Sequence, residues 1–177
     1  MFDNLNSTAI LFIDLINDFK FDGGEKLLAN TEEILPNIVK LRQLAEEHKL
    51  PIIYVNDHYR LWQSNPDTII KYCMNEANEH IIQQLKPKPN DYFLIKPQHS
   101  AFFQTPLLSL LRDLGKKHLM IAGIAGDICV LFTTKDAYMY QFSMHIPKNC
   151  TASENKQGND YALYLMNSVM KANIDPI

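Results

Sequence analysis

The run Leu119-Met120-Ile121-Ala122-Gly123-Ile124-Ala125-Gly126-Asp127-Ile128-Cys129-Val130 decides the fold. Its first residues are apolar without alternation, which is the pattern of a strand buried on both faces. Two glycines and Asp127 then break the run, and a segment of helical period follows from Ile128 to Tyr140. A fully buried strand that passes through a tight turn into a helix is the unit from which parallel α/β sheets are built.

Working outward, similar short apolar runs recur at Ala9–Ile13, Pro51–Val55, Tyr92–Ile95 and Phe142–Ile146, giving five expected strands with Leu119–Ala122. Helical spacing separates them. Ile34, Ile38, Leu41, Leu44 and Ala45 mark one helix, in which Pro36 is tolerated only in the opening turn. Pro106–Leu114 reads as another, with Thr105 as N-cap and Gly115 as the C-terminal stop. Lys156–Ala172 reads as a third. The stretches Phe19–Asn30 and His58–Pro66 are irregular and lie beyond strand ends, so they are expected to wall or cover a site. Lys86-Pro87-Lys88-Pro89-Asn90 is a stiff turn before a strand.

Composition bounds the function. The 177 residues are expected to form one domain spanning 1–177, with a hydrophobic fraction of 46% that excludes a disordered chain. Seventeen basic and 20 acidic residues give a net charge of −3 with both signs intermixed, so no nucleic-acid or membrane-surface partner is expected. No apolar run approaches the roughly 18–20 residues that span a bilayer. The opening Met1-Phe2-Asp3-Asn4-Leu5-Asn6 has no basic region and no long apolar run behind it, so no secretory leader is expected. Three cysteines at wide spacing, Cys73, Cys129 and Cys150, suit neither a disulfide framework nor a C-x-x-C metal site and point to a reducing cytoplasm.

In open α/β sheets the ligand lies beyond the carboxyl ends of the strands. Asp14 follows the first strand, Lys96 the third, and Cys129 stands a short loop beyond the fourth. A carboxylate, an ammonium and a thiol are thus expected to converge on one sheet edge. That set suffices for covalent acyl transfer: the thiol is nucleophile, its pKa lowered by Lys96 and a helix start, and the carboxylate moves protons. Cys73 and Cys150 have no such context.

The segments Asp14-Leu15-Ile16-Asn17-Asp18-Phe19, Lys96-Pro97-Gln98-His99-Ser100-Ala101-Phe102 and Gly123-Ile124-Ala125-Gly126-Asp127-Ile128-Cys129-Val130 resemble, in order and spacing, the isochorismatase-like cysteine hydrolases, which include nicotinamidases and N-carbamoylsarcosine amidohydrolase. The resemblance extends through Thr133, Asp136-Ala137-Tyr138 and Asn149-Cys150-Thr151-Ala152-Ser153, covering Ser7 to Met170. It implies a three-layer α/β/α, Rossmann-like sandwich with a mainly parallel sheet of about six strands, and an Asp14-Lys96-Cys129 triad. It also implies a cis peptide at Ile124-Ala125, an oxyanion hole from the N–H groups of Ala125 and Cys129, and a homodimer or higher homo-oligomer.

The implied activity is hydrolysis of a small amide or N-carbamoyl compound through a thioester on Cys129, with Asp14 as acid and base throughout, water activation included, and Lys96 stabilising charge. Vinyl-ether hydrolysis of the isochorismate type, which needs an acidic Asp but no thiol, is the other activity in the superfamily. A fold kept for binding alone would show a broken triad, and this one is intact. Ile16 stands where the family commonly has Gln, and Gly126 where it has Thr or Ser. Asn56-Asp57-His58 departs from the Asp-x-His of nicotinamidases and has no second His before His80, so no metal or other cofactor is expected. Phe19, Trp62 and His99 are expected to contact the substrate.

Overall fold

The computed structural model describes residues 5–177; residues 1–4, part of the stretch read for a leader, lie outside them. A six-stranded sheet is built from β1 (Thr8–Ile13), β2 (Ile52–Asp57), β3 (Tyr92–Lys96), β4 (His118–Ile124), β5 (Ser143–His145) and β6 (Thr151–Ala152). The order is β3-β2-β1-β4-β5, every pairing is parallel, and β6 joins the far end of the β4 edge that β5 uses at its start. Parallel pairing forces each connection to cross a sheet face, and helices do this. They are α1 (Gly24–Glu47), α2 (Pro66–Cys73), α3 (Glu79–Leu85), α4 (Leu107–Asp113), α5 (Leu131–Met139) and α6 (Lys156–Ser168).

The alternation of side chains along β1 makes two cores. Ile10 and Phe12 point to one face, where Leu27, Leu35, Ile38 and Leu41 of α1 and Leu85 of α3 cover them. Ala9, Leu11 and Ile13 point to the other, where Leu107 and Leu111 of α4, Ala137 of α5 and Leu163 and Met166 of α6 lie. Every residue of β1 is buried, as its unbroken apolar run requires. The result is the expected three-layer α/β/α sandwich. Gly123 on β4 has φ 137°, and a Cβ there would run into the backbone of Ile13, so the β1–β4 approach depends on glycine at this point.

Several boundaries differ from the sequence reading. The first helix begins at Gly24 rather than near Ile34, so Pro36 lies inside it and not in the opening turn. Pro36 is exposed, which leaves the carbonyl it cannot pair, that of Glu32, on the solvent side where water can satisfy it. The stretch read as irregular after His58 contains the start of α2, capped by Asn65, whose side chain accepts from the N–H of Thr68. The sixth strand, β6, is two residues long, too short for any periodicity. Among the described residues no helix is long and apolar enough to cross a membrane.

Candidate active site

Chain order runs outward from β1 to β3 on one side and from β4 to β5 on the other, so the connections part between β1 and β4. The carboxyl edge of the sheet at that point is where an open α/β fold offers a crevice. Asp14 follows β1 directly there, with a left-handed φ of 51° and its N–H donating to Val55 O at 3.1 Å. Lys96 is the last residue of β3 and stands in register with Asp57 of β2. Cys129 comes from Gly126–Val130, a turn of π-helix inserted between β4 and α5.

These three side chains meet. Lys96 Nζ is 2.8 Å from Asp14 Oδ2 and 3.4 Å from Cys129 Sγ, so one ammonium bridges the carboxylate and the thiol. Asp14 Oδ1 accepts the N–H of Asp57 at 2.7 Å, which fixes the plane of the carboxylate. The pair is deeply placed, Lys96 at 2% and Asp14 at 5% exposure. Burial works to discharge Lys96, but the charge and hydrogen bond of Asp14, the sulfur of Cys129 and Asp57 together outweigh it and hold the ammonium above its usual range.

The thiol departs from expectation. Burial pushes the Cys129 pKa up, the negative Asp14 beside it pushes it further, and Lys96 opposes both without prevailing. The expected thiolate is therefore corrected to a neutral thiol at rest.

The turn itself is held from behind. The N–H of Asp127 donates to Ser153 Oγ at 3.0 Å, and that hydroxyl donates to Asn159 Oδ1 of α6 at 3.0 Å. Asn159 Oδ1 also occupies the space that a side chain at Gly126 would need. The Ile124–Ala125 peptide is cis, and Ala125 and Cys129 both line the cavity.

That cavity has a volume of about 390 Å³, within the range of small-molecule pockets. Two roomier clefts of about 600 and 610 Å³ lie elsewhere, one at the opposite sheet edge and one behind α5, but neither holds the cysteine or its partners. The site is assigned by chemistry rather than by size.

Of the expected substrate contacts, only His99 lines this cavity, its Nδ1 3.8 Å from Cys129 Sγ. Phe19 does not. With φ 55° it turns inward and packs in the core against α1, while Phe21 faces the cavity instead. Trp62 does not either: it is 64% exposed and stacks on His58 with ring centroids 3.9 Å apart. Several lining residues were not among those expected, Asp57, Tyr59, Lys20 and Glu154 among them. Asp57 closes β2 and was open to discovery by the rule that exposed Asp14 and Lys96.

The side chains of Asp57 and His58 are engaged by the backbone of their own loop. Asp57 Oδ1 accepts from Tyr59 N at 2.6 Å, His58 Nδ1 accepts from Arg60 N at 2.9 Å, and Asn56 is spent on the backbone of Ile16. Among the described residues no three His, Cys, Asp or Glu side chains converge as a divalent ion requires.

Comparison with known proteins bears on the family and the fold. Residues 8–175 match the isochorismatase domain. The chain is 49% identical over 166 residues to the uncharacterized isochorismatase family protein YaaI of Bacillus subtilis (strain 168), covering 94% of this chain and 92% of that one. A stretch of 62 residues, 35% of this chain and 27% of the other, is 44% identical to the ureidoacrylate amidohydrolase RutB of Enterobacter sp. (strain 638). Among solved structures, nicotinamidase PncA from Bacillus subtilis superposes with a TM-score of 0.75 at 28% identity, over 96% of this chain and 99% of that one. Fold, domain match and sequence identity together make this chain a member of the isochorismatase family of hydrolases.

Proposed function

We propose that the protein hydrolyses a small C–N substrate, an amide or an N-carbamoyl compound, through a thioester on Cys129. The observation that carries this is the position of Lys96 Nζ, bound at once to Asp14 and to the sulfur of Cys129. Support also comes from relatives whose names denote amide hydrolysis, the nicotinamidase and the ureidoacrylate amidohydrolase.

In the proposed cycle Asp14 takes the proton of the Cys129 thiol as sulfur attacks the carbonyl carbon. The N–H groups of Ala125 and Cys129 receive the developing oxyanion, a term worth about 3 kcal/mol per donor in comparable sites. The C–N bond then breaks, and the proton held by Asp14 passes to the departing nitrogen. Lys96 stays charged throughout and keeps Asp14 in place. Water finally splits the thioester and frees the acid.

The test is a panel of small amides and N-carbamoyl compounds, with isochorismate as a vinyl ether, scored by ammonia or amine release and by product. Cys129→Ala and Asp14→Asn are each expected to lower turnover of the responsive C–N compound by about 10³-fold or more. Turnover of the vinyl ether that survives Cys129→Ala and fails in Asp14→Asn would replace this reading with proton-initiated hydrolysis.

A further inference from the structure

The sulfur of Cys129 has two nitrogen neighbours, one in a part-buried contact and one in an exposed contact. Lys96 Nζ reaches it from the buried side at 3.4 Å, and His99 Nδ1 from the solvent side at 3.8 Å. We propose that His99 is the general base of the second half of the reaction, taking a proton from the water that splits the Cys129 thioester and returning it to the sulfur. The proposal rests on the thioester reading above, and it moves water activation from Asp14, where sequence placed it, to His99.

Three observations lead there. The first is access. Asp14 lines the cavity too, but only 5% of it is exposed, and both its oxygens are engaged, Oδ1 by the N–H of Asp57 and Oδ2 by Lys96. His99 is exposed and stands at the open side of the cavity, where bulk water arrives. A base must lie within about 3 Å of the oxygen it deprotonates. Water attacking a carbon bonded to Sγ from the open side falls within reach of a nitrogen 3.8 Å from that sulfur.

The second is placement. Exposed histidines usually wander, but this one is tied down by its loop. The N–H of Ala101 donates to Thr133 Oγ1 of α5 at 3.0 Å, the N–H of Phe102 to Ser100 Oγ at 3.2 Å, and Thr105 Oγ1 to Ala101 O at 2.5 Å. The imidazole tilts against Phe132, ring centroids 5.6 Å apart. Thr133 and Phe132 sit on the helix that continues directly from the Cys129 turn, so base and nucleophile share one support.

The third is proton balance. In deacylation the water oxygen bonds to the acyl carbon, Nδ1 accepts its proton, and the C–S bond breaks with its electron pair on sulfur. A thiolate and an imidazolium are then in contact. The proton on Nδ1 crosses to Sγ, and the resting thiol and neutral imidazole are restored. The charged and titratable groups that line the cavity around this exchange are Asp14 just after β1, Asp18, Lys20, Asp57 at the end of β2, Tyr59, Lys96 at the end of β3, Cys129 itself and Glu154, and from α5 the Phe132 ring packs against the imidazole.

The experiment uses 4-nitrophenyl acetate, an activated ester, with wild type, His99→Asn and His99→Ala. Asparagine places an amide near the Nδ1 position, so it keeps a polar contact but cannot accept a proton. Both variants are expected to keep the acylation burst within about twofold, to slow steady-state release by about 10²-fold, and to accumulate acetyl-Cys129 in intact-mass spectra. Hydroxylamine, a nucleophile that does not depend on a base, is expected to restore product release in both. Steady-state rates unchanged in the variants, while wild type still acylates at Cys129, would overturn the role of His99 and leave the thioester standing. Loss of burst and steady state in equal measure would also overturn it, as would rescue of full turnover by asparagine. Failure of wild type to acylate at Cys129 would remove the thioester reading and this proposal with it.

Discussion

At the scale of the residue, Cys129 is a thiol whose surroundings favour its protonated form. Burial and Asp14 both favour the thiol, and only Lys96 favours the thiolate. The signs give a direct prediction. Neutralising Asp14 as Asn removes an anion while keeping the ammonium, so the midpoint of Cys129 alkylation by iodoacetamide should move down by about one pH unit or more. Replacing Lys96 by Met should move it up. Cys73 and Cys150, buried and each pushed up to about 12 by that burial, should remain unlabelled in the folded protein and serve as internal controls. A midpoint that ignores Asp14→Asn would mean the carboxylate exerts no field on the sulfur. What could be read in the sequence at this scale was the chemistry at strand ends: Asp14, Lys96 and Cys129 were each found by position after an apolar run. What could not be read was where loop side chains point. Phe19 faces inward and Phe21 outward because left-handed backbone at Phe19 turns the chain, and no hydrophobic pattern encodes that turn. The state of the thiol was misjudged for a related reason, since burial depth is a property of the assembled site.

At the scale of the element, the turn that carries Cys129 depends on what stands behind it. Gly126 has no side chain, and Asn159 Oδ1 fills the vacated space while accepting from Ser153. Gly126→Ala should push Asn159 aside and break that contact, costing about 1–3 kcal/mol, or roughly 2–4 °C in Tm for each kcal/mol in a chain of this size. Asn159→Ala opens the same space from the other side. The double variant should therefore lose less than the sum of the two singles, by about 1 kcal/mol, in denaturant melts. Strict additivity would show that the two residues do not compete for one volume. The sequence revealed this turn as a break between a buried strand and a helix, and it showed glycine where relatives carry a hydroxyl. It could not show the compensating residue, 33 positions downstream on α6, because that link exists only across the fold. The same limit explains α1. Its apolar spacing marked the middle, but the extension back to Gly24 is set by packing of Leu27 under the sheet, and that packing overrides the local penalty of Pro36.

At the scale of the molecule, chemistry and stability sit at opposite ends of the strands. The carboxyl edge carries Asp14, Lys96 and Cys129, and the amino edge is closed by Arg42 of α1. Its guanidinium is 4% exposed, donates to Tyr54 Oη at 2.6 Å and to Asp91 Oδ2 at 2.6 Å, and pairs with Glu46 at 3.1 Å. Tyr54 Oη in turn donates to Leu85 O at 2.6 Å, so the network ties α1, β2, α3 and the start of β3 together. Removing one partner of a buried pair leaves an uncompensated charge, which costs about 3–5 kcal/mol. Asp91→Asn should fall at the low end, about 3 kcal/mol, because Glu46 remains on the guanidinium; that corresponds to a Tm lowered by roughly 6–12 °C. Asp91 precedes β3 while Lys96 ends it, and five residues of strand place them about 17 Å apart. Turnover per folded molecule at a temperature well below the melt should therefore stay within about twofold of wild type. Measuring Tm and kcat/KM on the same preparation separates the two ends. If Asp91→Asn were to lower kcat/KM as steeply as it lowers Tm, the amino edge would have to be counted as part of the machinery that positions Lys96, and the sheet could no longer be treated as a rigid spacer between them.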